Sequence, residues 1–179
     1  MNTKIAAAGL GALSLLLWGA VGPAAGAGKG DPTATAKIVD TQGRQIGTAT
    51  LTQQDDAVKI HLEAKGLPPG PHGFHIHQTG KCEAPGFTSA GDHLNPAHKQ
   101  HGFYNPQGFH AGDLPNIRVE ADGTVNADIE SKNVTLRKGK PNSLLRKGGT
   151  SLVIHEKADD YVTDPSGNSG SRIACGVIR

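Results

Sequence analysis

The chain has 179 residues, with 18 Lys and Arg against 16 Asp and Glu, nine histidines and two cysteines. A formal net charge of +2 gives no bulk attraction to nucleic acid or to a membrane surface. The length suits one domain with a full core, and no internal repeat marks a second.

Residues 1–27 read as a secretory signal peptide. Lys4 is their only charge, Ile5 to Val21 is an apolar Ala/Leu-rich run, and Ala25-Gly26-Ala27 gives a small-x-small end. The alternative is an uncleaved N-terminal anchor, since the run is near the lower limit for a span. Export would place the protein in the periplasm, the cell envelope or the medium. Membrane contact is expected only if this segment stays attached. Cleavage after Ala27 leaves one domain, 28–179, of 152 residues (179 − 27) with 17 cations (18 − 1) against 16 anions.

The body reads as all-β. Lys37 to Asp40 and Gly47 to Thr52 form a hairpin across Thr41-Gln-Gly43-Arg44. Val58, Ile60, Leu62 and Ala64 alternate with Lys59, His61, Glu63 and Lys65, which is a half-buried strand with His61 facing solvent. Leu67-Pro-Pro-Gly-Pro71 ends it. Ile117 and Val119 alternate with polar residues. Asp122-Gly123 turns the chain, and Val125, Ala127 and Ile129 resume the alternation, which predicts a hairpin. No stretch after residue 27 shows a helical period.

Between these strands lies the chemistry. His75 and His77 alternate with Phe74 and Ile76, so two imidazoles leave one face of a strand. That pair is half a copper or zinc site, or equally a polar surface pair. His93, His101, His110 and Asp113 follow, separated by seven, eight and two residues. Tyr104-Asn-Pro-Gln-Gly108 and Ala111-Gly112 break any regular pattern between them. Three imidazoles and a carboxylate make a closed tetrahedral set suited to zinc, and a bound metal would order a loop whose backbone lacks regular structure. The bland alternative is a flexible His-rich loop. His155 then ends an apolar strand begun at Ser151, and Arg172 opens another three residues before Cys175.

At this point the chain resembles the copper–zinc superoxide dismutases, of the exported bacterial type. The likeness runs from about Thr33 to Arg179. It is carried by Gly73-Phe-His-Ile-His77, Ser89-Ala-Gly-Asp-His93-Leu-Asn-Pro96, His110-Ala-Gly-Asp113, His155-Glu-Lys-Ala-Asp159-Asp160 and Gly170-Ser-Arg-Ile-Ala-Cys-Gly-Val177, in the family's order and spacing. It implies an eight-stranded Greek-key β-barrel or sandwich, with a long metal-binding loop and a second loop over the active site. It implies one copper and one zinc ion per subunit. His75, His77, His93 and His155 resemble the copper ligands, and His93, His101, His110 and Asp113 the zinc ligands, with His93 shared. Asp159 resembles the carboxylate that ties a copper ligand to a zinc ligand, although Asp160 stands next to it. His72 and His98 fall outside the matched set.

The implied reaction is dismutation of superoxide to oxygen and hydrogen peroxide, as antioxidant defence outside the cytoplasm. Arg172 resembles the residue that attracts the anion, and His93 the one that takes up and returns a proton. Cys82 and Cys175 resemble the half-cystines of a disulfide, which an exported chain with two cysteines also suggests; two buried thiols are the alternative. The loop between Tyr161 and Gly170 has no Lys or Arg, unlike the steering loop of eukaryotic members, so attraction of the substrate is expected to rest on Arg172, helped by Lys157. Family members are monomers or homodimers. A metal carrier built on the same fold is the rival reading, and a purely structural sandwich leaves six histidines without a purpose.

Overall fold

The computed structural model describes Met1 and residues 30–179; apart from Met1, the leader expected over 1–27 lies outside the described residues. Nine strands follow: β1 (Thr33–Asp40), β2 (Gln45–Gln54), β3 (Ala57–Lys65), β4 (Gly70–His72), β5 (Phe74–His77), β6 (Ile117–Val119), β7 (Thr124–Ser131), β8 (Ser151–His155) and β9 (Arg172–Val177). A single 3₁₀ turn, Thr88–Ala90, is the only helical element among the described residues. β4 and β5 are one run broken at Gly73, so the expected eight strands become nine segments.

Seven strands pair antiparallel in the order β5-β8-β9-β1-β2-β3-β7, and β4 pairs with β6. Because β4 runs into β5 and β6 follows directly into β7, the two sheets curl around one core. Alternation decides which side chains enter it. Ala34, Ala36 and Ile38 point inward from β1, and Ile60, Leu62 and Ala64 from β3, while Lys59, Glu63 and Lys65 stay outside. The expected β1–β2 hairpin forms, with Gly43 donating to the Asp40 carbonyl and Asp40 to the Arg44 carbonyl.

The hairpin expected around Asp122-Gly123 forms only its turn. Gly123 N–H donates to Glu120 O and Glu120 N–H to Thr124 O. Beyond that β6 leaves to pair with β4, and β7 pairs over eight residues with β3. A turn signal fixes where the chain reverses; the longer apolar register with β3 decides which neighbour β7 takes. The crossover from β7 to β8, residues 132–150, passes from one edge of the sheet to the strand beside β5, which is the Greek-key connection.

β5 ends the seven-stranded sheet, so its outer edge needs partners. The long histidine loop supplies them. Leu94 N–H donates to Ile76 O, Ile76 N–H to Gly112 O and Gly112 N–H to Leu94 O. The ordering expected to need a metal is thus partly built into the backbone. A Cβ at Gly112 would collide with Ile76 O, so only glycine allows the loop to lie this close.

Candidate metal centre

The β5 edge and the loop pinned to it bring the predicted histidines together. His75, His77, His93 and His155 form one group, and His93, His101, His110 and Asp113 another. All seven residues are buried, and within each group the donor atoms lie within 4.8 Å of one another.

Each imidazole of the first group other than the shared His93 is held from behind through one nitrogen. His75 Nε2–H donates to Asp159 Oδ2 at 2.9 Å, His77 Nδ1–H to Gly91 O at 2.8 Å and His155 Nδ1–H to Gly170 O at 3.2 Å. The nitrogens left over are His75 Nδ1, His77 Nε2, His93 Nε2 and His155 Nε2, and these four are buried without a hydrogen-bond partner. Four converging buried lone pairs are costly unless a cation takes them, and four imidazoles suit copper. The donor set fits the metal on this chain's own geometry.

In the second group Asp113 is the centre. Its Oδ1 lies 2.9 Å from His93 Nδ1 and 3.1 Å from both His101 Nδ1 and His110 Nδ1, while His93 Nδ1 and His110 Nδ1 are 3.3 Å apart. Tetrahedral ligands at zinc distances stand about 3.3 Å from each other, so these four atoms already match such a shell. Asp113 Oδ2 accepts from the backbone N–H groups of Gly102 and His110, which fixes the carboxylate. His93 belongs to both groups: Nδ1 faces Asp113 and Nε2 faces the first.

Asp159, not Asp160, joins the groups. It accepts from His75 Nε2–H and, at 3.0 Å, from His101 Nε2–H. Its backbone is clamped both ways by Asn116, whose Nδ2 donates to Asp159 O while Asp159 N–H donates to Asn116 Oδ1. Gly167 has φ +63, and a Cβ there would strike Asp159 Oδ1, so the carboxylate needs that glycine. Asp160 is exposed and accepts from Val162 N–H and Thr163 N–H instead.

The electrostatics keep the first group neutral. Burial lowers His75 and His155 to about 4 and His93 to about 3 from the ordinary 6.5, and lowers His77 well below it. Burial also lowers His101, but its bonds to Asp113 and Asp159 outweigh this and raise it to about 9. Burial raises both carboxyls, yet their histidine bonds win and hold Asp113 and Asp159 below the usual carboxylate range. For the metal-free chain the sign is definite. Unfolded histidines bind protons near 6.5 and four folded ones do not until far lower, so stability is lost as pH falls from about 6.5 toward 4. The raised His101 contributes below 6.5 and loses that contribution as pH rises toward 9. The urea midpoint of metal-free protein is therefore expected to peak near pH 6.5 and to fall more steeply on the acid side. A midpoint that climbs steadily from pH 6.5 down to 4 would refute this.

Arg172 stands across the ladder from His155. Its Nη1 donates to Phe87 O and its Nη2 to Gly91 O, both at 2.8 Å. Gly91 O thus accepts from both Arg172 and His77, which ties the guanidinium to one histidine of the first group. Phe87 is buried in a small cluster with Ala90, Val153 and Cys175, and Cys82 is disulfide-bonded to Cys175. A cleft of about 520 Å³ opens onto this point, with His77, His93, His155 and Arg172 on its wall and Lys99 at its rim.

The family model described as copper/zinc superoxide dismutase (SODC) matches residues 45–178. The chain belongs to this family. Superoxide dismutase [Cu-Zn] 2 of Aquifex aeolicus is 51% identical over 150 residues, covering 83% of this chain and 88% of that protein. The solved structure of a superoxide-dismutase-like protein from Bacillus subtilis is 45% identical, with TM-score 0.78 over 80% of this chain and 96% of its own. The Cu/Zn superoxide dismutase of Brucella abortus is 28% identical, with TM-score 0.65 over 83% of this chain and all of its own.

Three side chains at the site go beyond the set expected from the sequence. His72 is buried, and its ring nitrogens lie 2.7 Å from the carbonyl oxygens of His155 and Pro68, so it braces the backbone of a cluster histidine. Its only sequence signal is its place between the Pro-Pro-Gly-Pro turn and the metal strand. Asn116 and Lys99 carry no local pattern at all. Lys157, expected to help Arg172 attract the substrate, is exposed and does not line that cleft. His98 stands on the cleft wall with φ 51 and belongs to neither group.

Proposed function

We propose that this protein dismutes superoxide, with copper held by His75, His77, His93 and His155 and zinc by His93, His101, His110 and Asp113. The observation that carries it is Gly91 O, which accepts from both Arg172 and His77 and so locks a guanidinium beside four unpartnered imidazole nitrogens on an open cleft. A carrier needs the imidazoles but not the fixed cation.

When bound, copper supplies the one-electron cycling that superoxide oxidation and reduction require, while zinc holds one oxidation state and adds fixed positive charge. Two superoxide ions and two protons give one oxygen and one hydrogen peroxide. Arg172 supplies a permanent charge that draws an anion into the cleft and orients it; burial lowers its pKa and Asp92 opposes this, but a guanidinium stays protonated at any working pH. His93 Nε2 faces the first group and is the atom that holds and returns a proton, while Nδ1 stays turned toward Asp113. Asp159 keeps His75 and His101 in the tautomers that leave Nδ1 free on each ring. The disulfide and the leader expected over 1–27 fit an oxidising compartment outside the cytoplasm.

Arg172→Ala is expected to lower kcat/KM for superoxide removal about tenfold or more at low salt while leaving the copper and zinc content unchanged. Lys99→Gln is expected to cost about two- to threefold at low salt and nothing at high salt, since an exposed rim charge is screened. Tight binding of both metals with no turnover by the unaltered protein would replace this reading with a carrier.

A further inference from the structure

The near-neutral net charge hides a segregation. The crossover loop from Lys132 to Gly149 carries Lys132, Arg137, Lys138, Lys140, Arg146 and Lys147 and no carboxylate. Residues 30–179 hold 16 cations and 16 anions, so the rest of them hold 10 cations (16 − 6) against 16 anions. With histidines neutral and before any metal ion is counted, one loop of 18 residues is +6 and the rest of residues 30–179 is −6. All six side chains are exposed. The only Lys or Arg ion pairs among the described residues are Arg44–Asp40 and Lys59–Asp128, so none of the six is neutralised.

The loop is also built rather than loose. Val134, Leu136 and Leu144 are buried in the main core. Buried Gln53 accepts from Thr135 Oγ1 at 2.7 Å and from Leu136 N–H at 2.9 Å. Leu144 N–H donates to Thr135 O, which folds the two legs of the loop together, and Arg137 Nη1 donates to Asp55 O. The cations therefore stand on a fixed frame, and little order remains to be imposed on binding.

We propose that this loop is a docking surface for an anionic phospholipid bilayer, with the six cations facing headgroup phosphates. Clusters of four to eight Lys and Arg are what an anionic leaflet attracts. Two bound divalent ions bring the remainder from −6 to −2 (−6 + 4), still the sign that an anionic surface repels, so the loop is the part drawn to face it. A linear polyanion fits less well: the cleft at the loop, walled by Pro96, Phe109, Asn133, Pro141 and Asn142, has Lys99 as its one cation and takes in none of the six. Nucleic acid fits less well again, because residues 132–149 contain no aromatic side chain to stack a base. No large apolar side chain of the loop is exposed, so nothing enters the hydrocarbon and salt should release the protein. This site is independent of the metal centre.

The test is co-sedimentation of the metal-loaded protein, as processed by the expressing cell, with phosphatidylcholine vesicles with and without about 30% phosphatidylglycerol. At low salt the expected preference for the anionic vesicles is at least tenfold, and it should vanish at about 0.5 M salt. Arg137→Glu/Lys138→Glu/Lys140→Glu should abolish the preference. Lys37→Glu/Lys65→Glu/Lys81→Glu, with the same change in net charge, should keep most of it. Unchanged superoxide removal and metal content in both triple variants would show that the fold is kept. Equal binding to both vesicle types, equal loss in the two triple variants, or binding to soluble polyphosphate or DNA with none to vesicles, would each overturn the proposal.

Discussion

Asp159→Ala is expected to weaken binding of both metals, by about 10- to 100-fold each. One carboxylate accepts from His75 on its Oδ2 and from His101 on both oxygens, and these imidazoles belong to different groups. Neutral imidazole carries one N–H, so placing that proton on Nε2 guarantees a free lone pair at Nδ1, which is the atom each ring turns to its group. Without the carboxylate either tautomer is allowed and both rings are free to turn. Losing an acceptor behind a metal-bound histidine typically costs 10- to 100-fold, or about 1.4–2.7 kcal/mol, and here one substitution removes two. Asp159→Asn should be no gentler at one of the two sites. Its amide N–H₂ would meet a ring nitrogen that must then lose its proton, which forces the proton onto Nδ1 and removes that ring as a ligand. Competition against a chelator, run separately for copper and zinc, checks this. Unchanged affinity for both metals would remove Asp159 from the design, and a fall in only one would mean that the shared bonds do not couple the sites.

This dependence shows what a sequence reveals and what it does not. The seven residues that the fold gathers into the two groups were legible because their chemistry is rare and their order along the chain is distinctive: His-x-His on a strand, then three histidines and an aspartate in a glycine-rich loop, then a histidine closing an apolar strand. The strands were legible where one face is buried, as in β3, since alternation there is a direct consequence of the pleat. Partner choice was not, and the β6–β7 turn led to strands in different sheets because register is settled by contacts distant in sequence. The same holds at the site. Asn116 reaches Asp159 across 43 residues and Arg172 reaches Gly91 across 81. Such supports leave no local pattern. His72 is the intermediate case: it lies three residues before His75, yet its role depends on His155, 83 residues away. Charge misled in a different way, since a near-zero sum is compatible with a strongly polar distribution.

Replacing both half-cystines, Cys82→Ala with Cys175→Ala, is expected to lower the unfolding free energy by about 4–5 kcal/mol, because the bridge closes a loop of 93 residues. The effect on turnover should be separable from that on stability. The bridge pins the segment carrying Phe87 and Gly91 to β9, and the carbonyls of those two residues are the acceptors that hold the Arg172 guanidinium. Phe87 and Ala90 still pack against Val153, so the segment should stay folded at low temperature but hold the arginine less firmly. His77 also leans on Gly91 O, but His75 and His155 are held by Asp159 and Gly170, and Leu94 N–H pins the chain beside His93 to Ile76 O. Below its melting range the double variant should therefore keep most of its metal while kcat/KM falls several-fold. The loss should not add to that of Arg172→Ala, because both act on the same guanidinium. Fully additive losses would mean that the disulfide supports turnover by another route. Loss of metal in step with loss of rate would mean that the segment holds the histidines rather than the arginine.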